Sequence, residues 1–258
     1  MAVLPHSDLK TDLAPARIRQ LEALAYNAWP ALQTVLAEGW VIRFSEGYTK
    51  RANSAAVFAE AAAPVRTVAP FIEDIYTRHG IVPTFRSSPL ADPDDDAWLL
   101  QAGYSAFDQS IVMTADLSAG QADQAVGVLA EPSQAWLEGF AAGNRYGPAV
   151  RPTLERMLAA IRPRVAYATL THENRSTAYG LAVNEREWVG LFDILVEAPY
   201  RGLGQGQRLV QALLDWGQRQ NATRAYLQVT AGNETAINLY RKLGFEEAYR
   251  YQYYRRGS

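Results

Sequence analysis

Trp188-Val-Gly-Leu-Phe-Asp193-Ile-Leu-Val196 leads through Pro199 into Arg201-Gly202-Leu203-Gly204-Gln205-Gly206, and a stretch from Gln207 to Gln218 follows. The first segment is nearly continuous apolar, which suits a strand covered on both faces in the middle of a sheet. In the last segment Leu209, Val210, Leu213, Leu214 and Trp216 share one helical face. Between them, glycines at 202, 204 and 206 let backbone N–H groups approach an anion without a Cβ in the way. The helix that follows adds its unpaired N-terminal donors and the positive end of its dipole. An isolated Gly-x-Gly is more simply a tight connection, but strand, glycine turn and helix in this order predict a phosphate site.

The phosphate ligand is narrowed by what the turn lacks. A dinucleotide fingerprint needs a third small residue, and the positions it would occupy are Gln207 or Leu209. A nucleoside-triphosphate loop needs Gly-Lys-Ser/Thr, whereas Gly206 is followed by Gln207-Arg208. What remains, Arg201-x-x-Gly204-x-Gly206 after a central strand, resembles the pyrophosphate loop of the GNAT superfamily of acyl-CoA-dependent N-acyltransferases. A second stretch, Asn233-Glu-Thr-Ala236-Ile-Asn-Leu239-Tyr240-Arg-Lys-Leu-Gly244-Phe245, is similar to that family's other signature, an Asn-initiated helix carrying a Tyr and closing at Gly-Phe. Local physics agrees: Asn233 is a good N-cap, Gly244 suits the left-handed residue past a helix end, and Ala236, Leu239, Tyr240 and Leu243 share one face.

The resemblance implies an α/β fold and acetyl-CoA as co-substrate, held by Leu195 and Val196 at the strand end, by Arg201, Gly202, Leu203, Gly204, Gln205, Gly206 and Gln207 in the loop, and by Asn233. It implies direct attack by an amine on the thioester, with the oxyanion held by a backbone N–H near Val196 and the thiolate protonated by Tyr240. A tyrosine is still protonated at neutral pH and can donate; without the flanking motif, Tyr240 would be read as a core residue. For the base, Asp193 is the odd charge in an apolar strand. Alternation puts it on the side of Leu191 and Leu195, either in the substrate cleft or paired in the interior. Glu185 and Glu187, on the preceding hairpin, are weaker candidates. A non-catalytic acyl-CoA-binding module is the alternative function, because a phosphate turn shows capture but not turnover.

Shifted by 141, the chain aligns with itself without a gap: Gly39 falls on Gly180, Gly103 on Gly244, and Val68, Ala69, Ile72 and Ile75 on Leu209, Val210, Leu213 and Trp216. The segment Ile81–Phe85 falls on Ala222–Tyr226, each a short strand candidate. We expect two tandem GNAT-like mixed-sheet halves with flanking helices, residues 1–119 and 120–258, joined in the polar segment Asp116–Asp123 near Ala119. Six residues of the first half, Glu60-Ala-Ala-Ala-Pro64-Val65, stand where the second has its glycine loop, and Leu99 stands in place of Tyr240. The first half is therefore expected to be degenerate, binding no CoA and walling the acceptor cleft.

Composition sets the outer limits. The chain has 258 residues, 48% of them apolar and 20% charged, which supports a large core and excludes a mostly disordered chain. A formal net charge of -2 implies no bulk attraction to nucleic acid or an anionic membrane and points to small-molecule partners, of which the resemblance implies an amine acceptor. With no cysteine and with His6, His79 and His172 widely spread, a covalent acyl-enzyme has no obvious nucleophile and base, and no metal spacing is seen. No apolar window approaches ~18 residues and the start has no apolar core behind a basic end, so a cytoplasmic protein is expected. The run Asp92-Pro-Asp-Asp-Asp96 reads as a helix-capping turn, and Tyr249–Arg256 as an alternating final strand.

Overall fold

The computed structural model describes residue 9, residues 11–117, residue 123 and residues 125–256. The expected boundary at Ala119 and the first histidine, His6, lie outside these. In chain order the first half comprises α1 (Pro15–Ala28), β1 (Gln33–Ala37), β2 (Trp40–Phe44), β3 (Ala55–Val57), α2 (Val65–Arg78), β4 (Thr84–Ser87), α3 (Pro93–Gln101) and β5 (Tyr104–Asp116). The second comprises β6 (Val126–Leu129), α4 (Gln134–Gly143), α5 (Arg151–Ala159), β7 (Arg164–His172), β8 (Arg175–Glu185), β9 (Trp188–Val196), α6 (Gln205–Arg219), β10 (Arg224–Thr230), α7 (Glu234–Lys242) and β11 (Glu246–Arg256).

The repeat is structural. The shift of 141 carries α3 onto α7 residue for residue, α2 onto α6 within one residue, and β4 into β10. Gly103 and Gly244 take the same left-handed conformation (φ 87° and 84°) just past α3 and α7, which only a residue without Cβ adopts freely. The other glycine match is not equivalent. Gly39 turns the β1–β2 hairpin at φ 88°, whereas Gly180 lies inside β8, where a Cβ would meet the Ile194 side chain at 2.8 Å. A turn and a close side-chain approach both exclude Cβ, so the letters coincide for different reasons.

All strands join one mixed sheet in the order β1-β2-β3-β4-β11-β5-β10-β9-β8-β7-β6. The last strands of the two halves are exchanged: β5 pairs with β10, and β11 with β4, while β5 and β11 run antiparallel to each other between them. The tail Tyr249–Arg256 thus forms most of a central strand, and its tyrosines at 249, 251, 253 and 254 are buried. A buried ion pair crosses the same seam: Arg86 of β4 donates to Glu22 of α1 (2.9 Å), which also accepts from the Tyr249 hydroxyl of β11 at 2.6 Å.

Strand β9 is central and covered on both faces. Trp188 and Phe192 pack with α1, α4 and α5, while Val189 and Leu191 pack with Leu209, Val210 and Leu213 of α6. Burying each such side chain contributes roughly 2 kcal/mol. The helix caps follow their sequence signals: Asp92 accepts from the Asp94 N–H (2.9 Å) at the start of α3, and Asn233 from the Ala236 N–H (3.2 Å) at the start of α7.

Candidate active site

Parallel pairing of β9 with β10 begins at Trp188 and Arg224 and stops at Leu191 and Leu227. Beyond that point β9 stays with β8 as far as Val196, and β10 stays with β5 as far as Thr230, so the two strands part company. The β9 edge that faces the opening, from Phe192 to Val196, has no partner strand there, which leaves main-chain groups available to an extended ligand.

At the end of β9, Ala198–Tyr200 make a single 3-10 turn, and the chain enters α6 through Gly202 (φ 79°) and Gly204 (φ 75°). A Cβ on either glycine would meet nothing within 4 Å, so their faces are open. Among the described residues, no backbone N–H from Gly202 to Gln207 donates to a protein acceptor, and the first to resume is that of Arg208, to Gly204 O at 3.2 Å. A run of free amides at a helix N-terminus is what a pyrophosphate requires. The side chains divide the work. Arg201 Nε donates back to Val196 O (3.1 Å) and ties the loop to the strand end. Gln205 is buried and accepts from the Thr177 hydroxyl at 2.6 Å, so only its backbone N–H faces the loop. Leu203 and Gln207 are exposed.

Gly206 lies at the mouth. A Cβ there would stand 3.4 Å from Leu239 of α7 and 3.5 Å from Val196 of β9, so the loop, the strand end and α7 converge on it. Tyr240, next in the chain to Leu239, is buried edge-on against Phe245 (5.8 Å between ring centres). Burial pushes its hydroxyl up to about 12, so it is protonated at neutral pH. Asn233 spends its side chain on the cap of α7.

Asp193 sits in a β-bulge. Leu181 pairs with Phe192 and Tyr179 with Leu195, which leaves Asp193 and Ile194 opposite the single residue Gly180. Its φ of 53° is left-handed, a conformation aspartate tolerates at a cost. The bulge resets the alternation: Asp193 shares a face with Leu195, as expected, but Leu191 packs on the opposite face. Its surroundings are Arg51, Tyr48 and Tyr146. Its Oδ2 is buried with no hydrogen-bond partner among the described residues. Burial pushes the carboxyl up to about 6, with Arg51 pulling the other way. Asp193 and Tyr240 therefore stand on opposite faces of the sheet, one on either side of the gap where β9 leaves β10. Glu185 accepts from Asn27 (3.0 Å) beside a hollow of about 770 Å³ between α1 and the far end of the β8–β9 hairpin.

These features now have a context. The family described as "Probable histone acetyltransferase Rv0428c C-terminal" matches residues 15–254. The chain belongs to this family. Among its relatives, the "Uncharacterized N-acetyltransferase YobR" of Bacillus subtilis is 27% identical over 242 residues, covering 92% of this chain and 97% of that one. The "Probable histone acetyltransferase Rv0428c" of Mycobacterium tuberculosis is 30% identical, over 89% of this chain and 71% of that one. The fold is that of GNAT N-acetyltransferases: a GCN5-related N-acetyltransferase from Kribbella flavida superposes with a TM-score of 0.69 at 16% identity, covering 95% and 96% of the two chains. A tandem GNAT protein from the clavulanic acid pathway superposes with a TM-score of 0.61 at 13% identity, over 91% of this chain and 86% of that one.

Within this GNAT fold, the motif residues of β9, the loop and α7 were readable in sequence. Tyr48, Arg51 and Tyr146 were not, because they lie in irregular segments and reach Asp193 only through tertiary packing. The one sequence hint was the bulge aspartate itself, an unpaired charge that calls for neighbours.

Proposed function

We propose that the second half transfers an acetyl group from acetyl-CoA to a primary amine by direct attack within a ternary complex. The observation that carries this is the free amide run from Gly202 to Gln207 at the mouth of the β9–β10 opening. The amides and the α6 N-terminus would hold the pyrophosphate, and the unpaired edge of β9 from Phe192 to Val196 would bind the pantetheine arm and the thioester oxygen. Acetyl-CoA supplies the activated acyl group.

Asp193, with its carboxyl poised near 6, is ionised at neutral pH and takes a proton from the incoming ammonium, which frees the nitrogen lone pair for the acyl carbon. As the new C–N bond forms and the C–S bond breaks, Tyr240 donates its hydroxyl proton toward the sulfur, the nitrogen sheds its second proton to water as it becomes the amide, and the phenolate is reprotonated from water. The opposite-face placement of the two side chains suits this order, with the amine entering from the Asp193 side and the cofactor arm passing the Tyr240 side.

The first half serves as wall and buttress in this reading. At its counterpart of the glycine loop, the Ala63 N–H already donates to Glu38 O (2.9 Å), Pro64 has no N–H, and a Cβ on Gly39 would lie 2.6 Å from the Ala62 backbone. With the Val65 N–H donating to Asp95 Oδ1 (2.8 Å), the later half of this segment offers no free amide, and its surface is filled by the β1–β2 turn. A screen of pooled amines with acetyl-CoA, following free thiol, tests the assignment: acceptor-dependent thiol release supports transfer, whereas tight CoA binding with no release under any acceptor makes this a binding module.

A further inference from the structure

The segment Ser45 to Asn53, between β2 and β3, has no role in the reading above. By the repeat, residues 47–55 are the first half's counterpart of β9, yet strand survives only at Ala55–Val57, and the rest is a loop with one 3-10 turn. The loop is held firmly. Buried Asn53 accepts from the N–H groups of Ser45 (2.7 Å) and Gly47 (3.1 Å) and donates to the carbonyls of Tyr48 (2.7 Å) and Thr49 (2.8 Å). Trp29 Nε1 donates to the Thr49 hydroxyl (3.2 Å), and Arg43 Nη1 to Arg51 O at 2.8 Å. A loop built this way fixes its side chains as a strand would.

Two of those side chains turn to the Asp193 side of β9. The Tyr48 side chain is buried, its hydroxyl meets that of Tyr146, and the two rings pack edge-on at 5.3 Å. The Arg51 guanidinium lies over the Phe192 ring at 5.9 Å and makes no hydrogen bond or ion pair among the described residues. The neighbouring cations are engaged: Lys50 pairs with Asp108 (2.5 Å), and Arg43 donates to the carbonyls of Trp29 and Arg51. Buried polar atoms in a native fold are nearly always paired, so an orphan, Asp193 Oδ2, beside a guanidinium with no acceptor marks groups that a ligand completes.

We infer that Tyr48 and Arg51 form an anion subsite beside Asp193, so that the acceptor is a primary amine that also carries a carboxylate, as a free α-amino acid does. This rests on the transferase reading above. Asp193 and Arg51 offer one negative and one positive charge that do not pair with each other, the complement of a zwitterion. A single unengaged cation balances a monoanion and leaves a phosphate dianion half compensated, and the planar guanidinium fork fits a carboxylate. Trp29, stacked on Phe192 at 6.4 Å, and Tyr146 give the acceptor's hydrocarbon part an aromatic wall.

The test uses the full chain with the standard L-amino acids, their C-terminal amides, the matching decarboxylated amines and a lysine-containing peptide blocked at both ends. Both thiol release and calorimetric binding are measured. The free acid should be preferred over its amide by about 10- to 100-fold in kcat/KM, the worth of a hydrogen bond to a charged group. Arg51→Gln should collapse that ratio toward one through KM, and Arg51→Lys should restore part of it, with the acetyl-CoA dissociation constant as the control for folding. If the acid binds, and binding is lost in Arg51→Gln, while no acceptor is acetylated, the subsite stands and the transferase reading falls. Three results overturn the subsite: amides, decarboxylated amines or the blocked peptide serving as well as the acids, Arg51→Gln lowering acid and amide equally with a shifted pH profile, or no acid binding at all.

Discussion

Asp193 combines a left-handed backbone, a buried oxygen without a partner and a carboxyl pushed up to about 6, each of which disfavours the folded state. The folded pKa lies above the unfolded value of 3.8, so the folded chain holds the extra proton between the two. Stability therefore falls as pH rises from about 4 through 6, by about 3 kcal/mol for a shift of two pH units. Asp193→Asn, which keeps the shape and tolerates the backbone, should melt higher than wild type at pH 8 and match it below pH 4. The same variant should lose ~100-fold or more in kcat, and wild-type kcat/KM should rise with pH through about 6. A melting point unchanged at pH 8 would remove the burial argument. Tyr240 is the converse case, a side chain comfortable in its place. Tyr240→Phe preserves the packing and removes one proton donor, so turnover should drop ~100-fold with cofactor affinity scarcely moved, and near-normal turnover with a good acceptor would return it to the core.

At the scale of elements, the loop and the two flanking helices work as a unit because strand β9 ends where α6 begins. Gly206 touches both Val196 and Leu239, and a valine there would push its methyls into the mouth between β9 and α7. Its backbone lies in the first turn of α6 without a positive φ, so the helix tolerates the substitution. Gly206→Val should raise the acetyl-CoA dissociation constant at least tenfold, about 1.4 kcal/mol, with little change in melting temperature. Unchanged affinity in a folded variant would take the loop out of the cofactor site.

For the whole molecule, the exchange of β5 and β11 decides what can be separated. Removing residues 1–119 takes away β5, which lies between β10 and β11, together with β4 on the other side of β11 and α1, whose Glu22 accepts from the buried Tyr249 hydroxyl. Two central strands would then expose unpaired edges. We expect residues 120–258 alone to be insoluble or to melt without cooperativity, and a soluble, fully active fragment would overturn this. For the intact chain, calorimetry should find one acetyl-CoA per chain, because the counterpart segment 60–65 lacks glycine, has Ala63 and Val65 amides engaged and no N–H at Pro64, and is covered by the β1–β2 turn; two equivalent sites would contradict the division of labour.

Several features of this protein are determined by short stretches of chain. The glycine turn, the capping residues Asn233 and Asp92, and the left-handed glycines at 103 and 244 act through neighbours a few residues away, so spacing alone specifies them. The repeat was legible for the same reason, since each half carries its local signals at the same intervals. Tertiary structure decided the rest. The face of Asp193 depends on a bulge, and a bulge depends on which residues of β8 sit opposite, a matter of pairing rather than of alternation. Exchange of the final strands is equally invisible in sequence, because two similar strands with alternating side chains fit either half and only the packed seam distinguishes them. The meeting of Arg51 and Tyr48 with Asp193 lies beyond any local pattern: the contacts join residues more than 140 positions apart, and the charge and size of a side chain in an irregular loop do not say what will fold against it.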